Sequence, residues 1–204
     1  MKKTLVAMVA AFLMLASFKP EGGVKVGEKA TDFKLKNVDG KIVSLSGNYK
    51  DAKGVIVVFT CNHCPFAKKY EDRIIALDKK YKSLGYPVVA INPNDPAIES
   101  EDSYENMQKR SKEKNYPFPY LIDETQATTH AYGATKTPHV FILQKTNADY
   151  TVKYIGAIDD NSDDATAVKE KYAENAIDAL LAGKAVATTN TKAVGCGIKW
   201  KNKS

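Results

Sequence analysis

Gly54-Val-Ile-Val-Val-Phe-Thr60 runs directly into Cys61-Asn62-His63-Cys64-Pro65, and the reading of that junction decides the fold. A continuous apolar, β-branched run predicts a central strand buried on both faces. Beyond the cysteines, Phe66, Tyr70, Ile74, Leu77, Tyr81 and Leu84 recur every three or four residues. Lys68, Glu71, Asp72, Asp78 and Lys79 lie off that stripe. The spacing predicts an amphipathic helix packed on the strand, closed by Gly85 as its C-cap. The cysteine pair therefore falls where a buried strand turns into a helix.

That placement carries chemistry. Two cysteines separated by two residues at a helix start bring their sulfurs onto one turn, within disulfide reach. The unpaired N–H groups and the helix dipole stabilise a thiolate there, and the thiolate is the nucleophile. Cys61, nearer the strand end, reads as the exposed attacker. Cys64, in the first helical turn, reads as the group that resolves a mixed disulfide. Pro65 is tolerated because first-turn N–H groups lack helical partners. Two other uses of the pair compete with redox exchange. A structural Cys61–Cys64 disulfide would close a loop too short to remove much entropy from the unfolded chain. A structural zinc site wants four ligands; beyond the pair the sequence offers Cys196, His63, His130 and His139, none at ligand spacing. No metal is assigned, and His130 is given no role.

Further from the junction, Asp32–Leu35 and Lys41–Leu45 alternate around Asp39-Gly40, which predicts an N-terminal hairpin. Pro87–Ile91 and Tyr120–Ile122 read as further buried strands, and 101–114 as a polar helix with Tyr104 and Met107 inward. Asn92-Pro93-Asn94-Asp95-Pro96 reads as a turn. Ala127–Tyr132 reads as a short helix ended by Gly133. His139–Leu143 and Thr151–Ile155 read as paired strands. Ser162 or Asp163 is expected to cap a last helix that turns Val168, Tyr172, Ala176, Ile177 and Leu180 inward. The order predicts an α/β fold with a central mixed sheet flanked by helices and an N-terminal hairpin. One domain is expected over residues 24–183, followed by a basic tail over 184–204.

The 204 residues carry a formal charge of +6, which invites a nucleic-acid reading. The charge sits at the ends, however. The first 18 residues hold two lysines and the last 21 hold five, with no acid in either, so the remainder is at −1. No face of the domain need be basic, and nucleic acid is not expected as a partner. The opening Met1-Lys2-Lys3 and apolar run Leu5–Ala16 fit a secretory signal peptide over residues 1–18. The expected location is outside the cytoplasm, in the periplasm or cell envelope, with membrane association only if the leader stays uncleaved.

The strand 55–60, Cys61-Asn62-His63-Cys64-Pro65-Phe66, Ala131-Tyr132-Gly133 and Thr137-Pro138-His139-Val140-Phe141-Ile142 together resemble the thioredoxin superfamily. Within it they resemble the redoxin (AhpC/TSA-like) group, in the peroxiredoxin-like branch that carries a CxxC, related to TlpA-type thiol–disulfide oxidoreductases. The resemblance covers about residues 24–183 and implies a thioredoxin-like fold with dithiol–disulfide exchange through Cys61 and Cys64. It places Pro138 as the family's cis-proline opposite the pair, with Thr137 offering its backbone to a substrate chain as an added strand. It implies no cofactor; protein dithiols and disulfides are the partners, and a thiol reductant protein supplies the electrons.

The departures from the family also carry meaning. In that branch Cys64 stands at the peroxidatic position of true peroxiredoxins, but Val57 and Cys61 hold the places of the peroxiredoxin Pro and Thr. No convincing match for the catalytic Arg is found, so dithiol exchange is favoured. The alternatives are a thiol peroxidase using Cys64 and a copper-binding redoxin using the two cysteines and His139. Val55 holds the place of the buried acid that thioredoxins carry six residues before the first Cys, so the Cys64 proton is expected to go to water. His63 is expected to stabilise the thiolate and make the pair more oxidising than thioredoxin. Gly195-Cys196-Gly197-Ile198-Lys199-Trp200 reads as a docking segment, and the odd Cys196 as a mixed-disulfide partner, a dimer bridge, a third redox thiol or an ordinary tail thiol.

Overall fold

The computed structural model describes residues 22–201, so the apolar leader read over 1–18 lies outside the described residues. The elements follow as β1 (Lys34–Asn37), β2 (Ile42–Ser44), α1 (Leu45–Asn48), β3 (Gly54–Phe59), α2 (Pro65–Tyr81), β4 (Val88–Asn92) and α3 (Tyr104–Glu113). After them come β5 (Tyr120–Ile122), α4 (Ala127–Tyr132), β6 (Lys136–Thr137), β7 (His139–Thr146), β8 (Asp149–Gly156), α5 (Tyr172–Leu181) and β9 (Cys196–Gly197). Seven strands form one sheet in the order β2-β1-β5-β4-β3-β7-β8. β3, β4 and β5 are parallel, and the outer neighbours β1 and β7 run antiparallel to them. The sheet is mixed, as the strand–helix order predicts.

β3 lies near the centre, and every one of its residues is buried. Its side chains divide by the alternation of a strand. Ile56 and Val58 pack with Tyr70, Ile74, Leu77 and Tyr81 of α2 and with Ile177 of α5. Val55, Val57 and Phe59 face Phe33, Tyr132, Phe141 and Val152 on the other side. Two apolar layers thus clamp the sheet, and the end of β3 is fixed from both faces. Burial of so many large side chains, each contributing about 1.5–3 kcal/mol, is what makes this strand end a rigid platform. Among the described residues no helix is long and apolar enough to cross a membrane.

Three expectations need correction. Leu84 does not join the buried stripe; it is exposed, in a 3-10 turn after α2. Glu71 and Asp78, read as lying off the apolar stripe, are buried as well. The last helix starts at Tyr172, with Lys171 as its cap, and not near Ser162. Side chains take over the backbone in the stretch before it. Asn161 Oδ1 accepts from the N–H groups of Asp163 and Asp164, Asp164 accepts from Thr166 N–H, and Asp160 accepts from Lys169 N–H. Such local bonds compete directly with helical ones.

The residues after α5 return across the sheet. Thr191 N–H donates to Ile155 O, and its hydroxyl oxygen accepts from Ala157 N–H. Cys196 and Gly197 then pair antiparallel with Thr137 and Lys136. Ile198 is buried among the residues under β3, and Trp200 packs on the same cluster.

Candidate active site at the strand-to-helix junction

α2 begins at Pro65, with Cys64 as its N-cap. Cys61 therefore lies ahead of the helix, in the tight connection from β3. The side chains of Cys61 and Cys64 pack with Ala67, and Phe66 and Cys196 lie against them. The Thr137–Pro138 peptide is cis, as the resemblance implies, and Thr137 faces both cysteines of the pair. Its Oγ1 is 3.1 Å from Cys61 Sγ, and its carbonyl oxygen is 3.2 Å from Cys64 Sγ.

The disulfide of this structure joins Cys64 to Cys196, and Cys61 is the free thiol. Cys196 is therefore bonded to the cysteine pair within the chain. Because Cys64 is bonded, its sulfur carries no proton here, and its contact with Thr137 O becomes a hydrogen bond only in the thiol form.

Cys61 departs from the expectation of an exposed, activated thiol. Only 6% of its surface is open. Burial pushes its pKa up from 9.0 to about 12, the charge of Asp102 adds to that, and the hydrogen bond with Thr137 pulls partly the other way. Helix start and His63 do not win this contest, for a geometric reason. His63 Nδ1 lies 3.5 Å from Cys61 Sγ but 2.6 Å from Asp102 Oδ2. The short contact places a proton on Nδ1, donated to Asp102. That nitrogen then cannot accept the proton of Cys61.

Asp102 is the residue that sequence reasoning missed. It was placed on a polar helix, yet it is fully buried in a 3-10 turn ahead of α3. Its Oδ1 accepts from the backbone N–H groups of Asn62 and His63, and its Oδ2 accepts from Asn94 Nδ2. It ties the CxxC connection to the loop after β4. Asn62 donates to Glu101 O and accepts from Tyr120 Oη, which anchors the same connection from below. Asn94 completes a link to the C-terminal segment, since its Oδ1 accepts from Lys199 N–H. Nothing in the residue pattern pointed to Asp102 or Asn94. Their neighbours in sequence read as an ordinary turn and a solvated helix.

The other candidates resolve simply. His139 is buried beside Phe141, and burial lowers its pKa from 6.5 to about 4; Thr135 N–H donates to its Nδ1. His130 is exposed and stacks on Trp200 with ring centroids 4.2 Å apart. Donor atoms of Cys61, His63 and Asp102 lie within 4.8 Å of one another. These atoms already satisfy each other, and the second cysteine of the pair is taken by Cys196. Both arginines of the chain are committed elsewhere: Arg73 to Asp159, and Arg110 to Glu71.

Comparison with known proteins places the chain in a family. The chain is 25% identical over 121 residues to the thiol-disulfide oxidoreductase ResA of Halalkalibacterium halodurans, a match that takes in 59% of this chain and 64% of ResA, less than two thirds of it. A conserved protein of Geobacillus kaustophilus with a solved structure is 39% identical, superposes with a TM-score of 0.81, and is matched over 88% of this chain and 94% of that one. The thioredoxin domain of a thiol-disulfide oxidoreductase from Bacteroides vulgatus superposes with a TM-score of 0.53 at 18% identity, over 66% of this chain and 91% of that one. That last likeness is one of fold, and the fold is thioredoxin-like. The AhpC/TSA family model matches residues 26–173, and the chain belongs to the AhpC/TSA family.

Proposed function

We propose that this protein is a thiol–disulfide oxidoreductase acting on protein thiols and disulfides through Cys61 and Cys64. The observation that carries the reading is the meeting of a free thiol and a disulfide sulfur at Thr137, within one buried cluster. In the reduced pair, Cys61 attacks a partner disulfide and the mixed disulfide lies along Thr137-Pro138. Cys64 then resolves it and leaves the Cys61–Cys64 bridge, which a thiol reductant protein reopens. His63 and Asp102 are positioning residues for the connection that carries Cys61. The apolar leader supports export to the periplasm or cell envelope, and fractionation of cells making the full chain tests that.

One observation favours a second reading, peroxide reduction at Cys64: this residue pairs with a distant cysteine and not with its CxxC neighbour. Against it stand the full burial of Cys64 and the engagement of both arginines with carboxylates. Insulin reduction and peroxide consumption, measured side by side, separate the two. Insulin reduction is expected to fall to background in Cys61→Ser and in Cys64→Ser. Peroxide consumption that needs Cys64 but survives Cys61→Ser would overturn the proposal.

A further inference from the structure

The groove beside Thr137 is occupied by the chain's own C-terminal segment. Cys196 pairs with Thr137 and Gly197 with Lys136, as an added antiparallel strand. The seat continues past that pairing. Lys199 N–H donates to Asn94 Oδ1, and Lys199 O accepts from Asp95 N–H and from Gln126 Nε2. Gln126 Oε1 accepts from Lys201 N–H. Ile198 is buried, and Trp200 lies flat on His130. Ahead of the cysteine, a Cβ on Gly195 would stand 2.2 Å from Thr137 O, so only glycine fits there in this pose. A Cβ on Gly197 would meet nothing within 4 Å.

From this we infer that residues 195–200 are an internal surrogate for the client chain, released when Cys61 attacks Cys64. The inference rests on the oxidoreductase reading above and extends it to the chemistry of the client. Cys61 gives up its proton and its sulfur bonds to Cys64 Sγ. The Cys64–Cys196 bond breaks with its electron pair on Cys196, which takes up a proton. One thiol and one disulfide stand on each side, so the step needs no outside oxidant or reductant. Its product is the oxidised Cys61–Cys64 pair beside an emptied groove. The surrogate also specifies what can replace it: an extended segment with glycine directly before its cysteine, an apolar residue two places after it and a flat ring four places after it. Backbone pairing supplies the affinity, and the alternate side-chain seats supply the selection.

The exchange is read directly by thiol labelling of the full chain. Protein carrying the single Cys64–Cys196 bridge is held at pH 8 with iodoacetamide and mapped as peptides. Exchange is expected to place label on Cys196 and to leave a Cys61–Cys64 bridge. Gly195→Ala should raise the Cys196-labelled fraction at least tenfold. Label confined to Cys61 with the Cys64–Cys196 bridge intact, in both proteins, would overturn the inference. For the groove, full-length protein with Cys64→Ser and Cys196→Ser is offered the peptide Ala-Val-Gly-Cys-Gly-Ile-Lys-Trp-Lys as its glutathione mixed disulfide. It should capture this peptide on Cys61, beside Thr137, at least tenfold faster than a version with alanine before the cysteine. Equal rates would sink the surrogate. Neither readout uses insulin, so a failure here is distinct from a failure of the oxidoreductase reading.

Discussion

At Cys61 two influences oppose each other, and magnitude decides between them. A helix start is worth about 0.3–1 kcal/mol to a negative charge nearby. Burial and the carboxylate of Asp102 move the thiol from 9.0 to about 12, which at about 1.4 kcal/mol per pH unit is several times larger. The free thiol is therefore protonated across the physiological range while the tail is docked. The sign of one substitution follows. Asp102→Asn removes a negative charge that disfavours the thiolate, so the pKa of Cys61 falls, yet it stays above 9.0 because burial remains. The rate of Cys61 alkylation against pH, followed by peptide mapping, should show its midpoint displaced to lower pH in that variant. An unmoved midpoint would show that Asp102 acts on the connection through hydrogen bonds alone. Asn still offers one oxygen to the N–H of Asn62, so the variant tests the charge with least damage to the loop.

Single elements show what was legible in the sequence and why the rest was not. The stripe on α2 was readable because Tyr70, Ile74, Leu77 and Tyr81 all answer to one period and one buried face. The same logic misplaced Glu71 and Asp78, since periodicity sorts residues by polarity and cannot see a partner far away in sequence. Glu71 is buried against α3. Burial opposes its charge, but hydrogen bonds from Arg110, Tyr116 and Lys114 outweigh that and hold its carboxyl below the usual range. Asp78 Oδ1 accepts from Val88 N–H at 2.9 Å and thereby docks α2 onto the start of β4. Asp78→Ala leaves that buried N–H without an acceptor and should cost about 1–3 kcal/mol, read as a lower urea midpoint with unchanged slope. Cys61 and Cys64 were legible because both stand at one strand-to-helix junction, whereas Thr137 and Pro138 were named only through the family resemblance. Asp102, Asn94 and Gln126 were not legible, because each acts on a segment more than thirty residues away through a backbone group that every residue has.

Across the whole molecule the two bridges available to Cys64 differ most in the loop they close. Cys64–Cys196 spans 132 residues, whereas a bridge to Cys61 spans three. In the chain-entropy account the long loop stabilises by about 4–5 kcal/mol and the short one by much less. Protein trapped as Cys61–Cys64 by Cys196→Ser should therefore unfold at a lower temperature than the Cys64–Cys196 form. Equal transitions would mean that the tail adds no global constraint. The tail also brings along the chain's one tryptophan, Trp200, stacked on His130. An indole fluoresces, and a neighbouring imidazole quenches it. Seating and release of the C-terminus thus have an optical signal built into the natural sequence. Emission excited at the red edge of the protein's absorption brightens and shifts to longer wavelength as the segment leaves, so the redox state of a buried sulfur can be followed in real time without a dye.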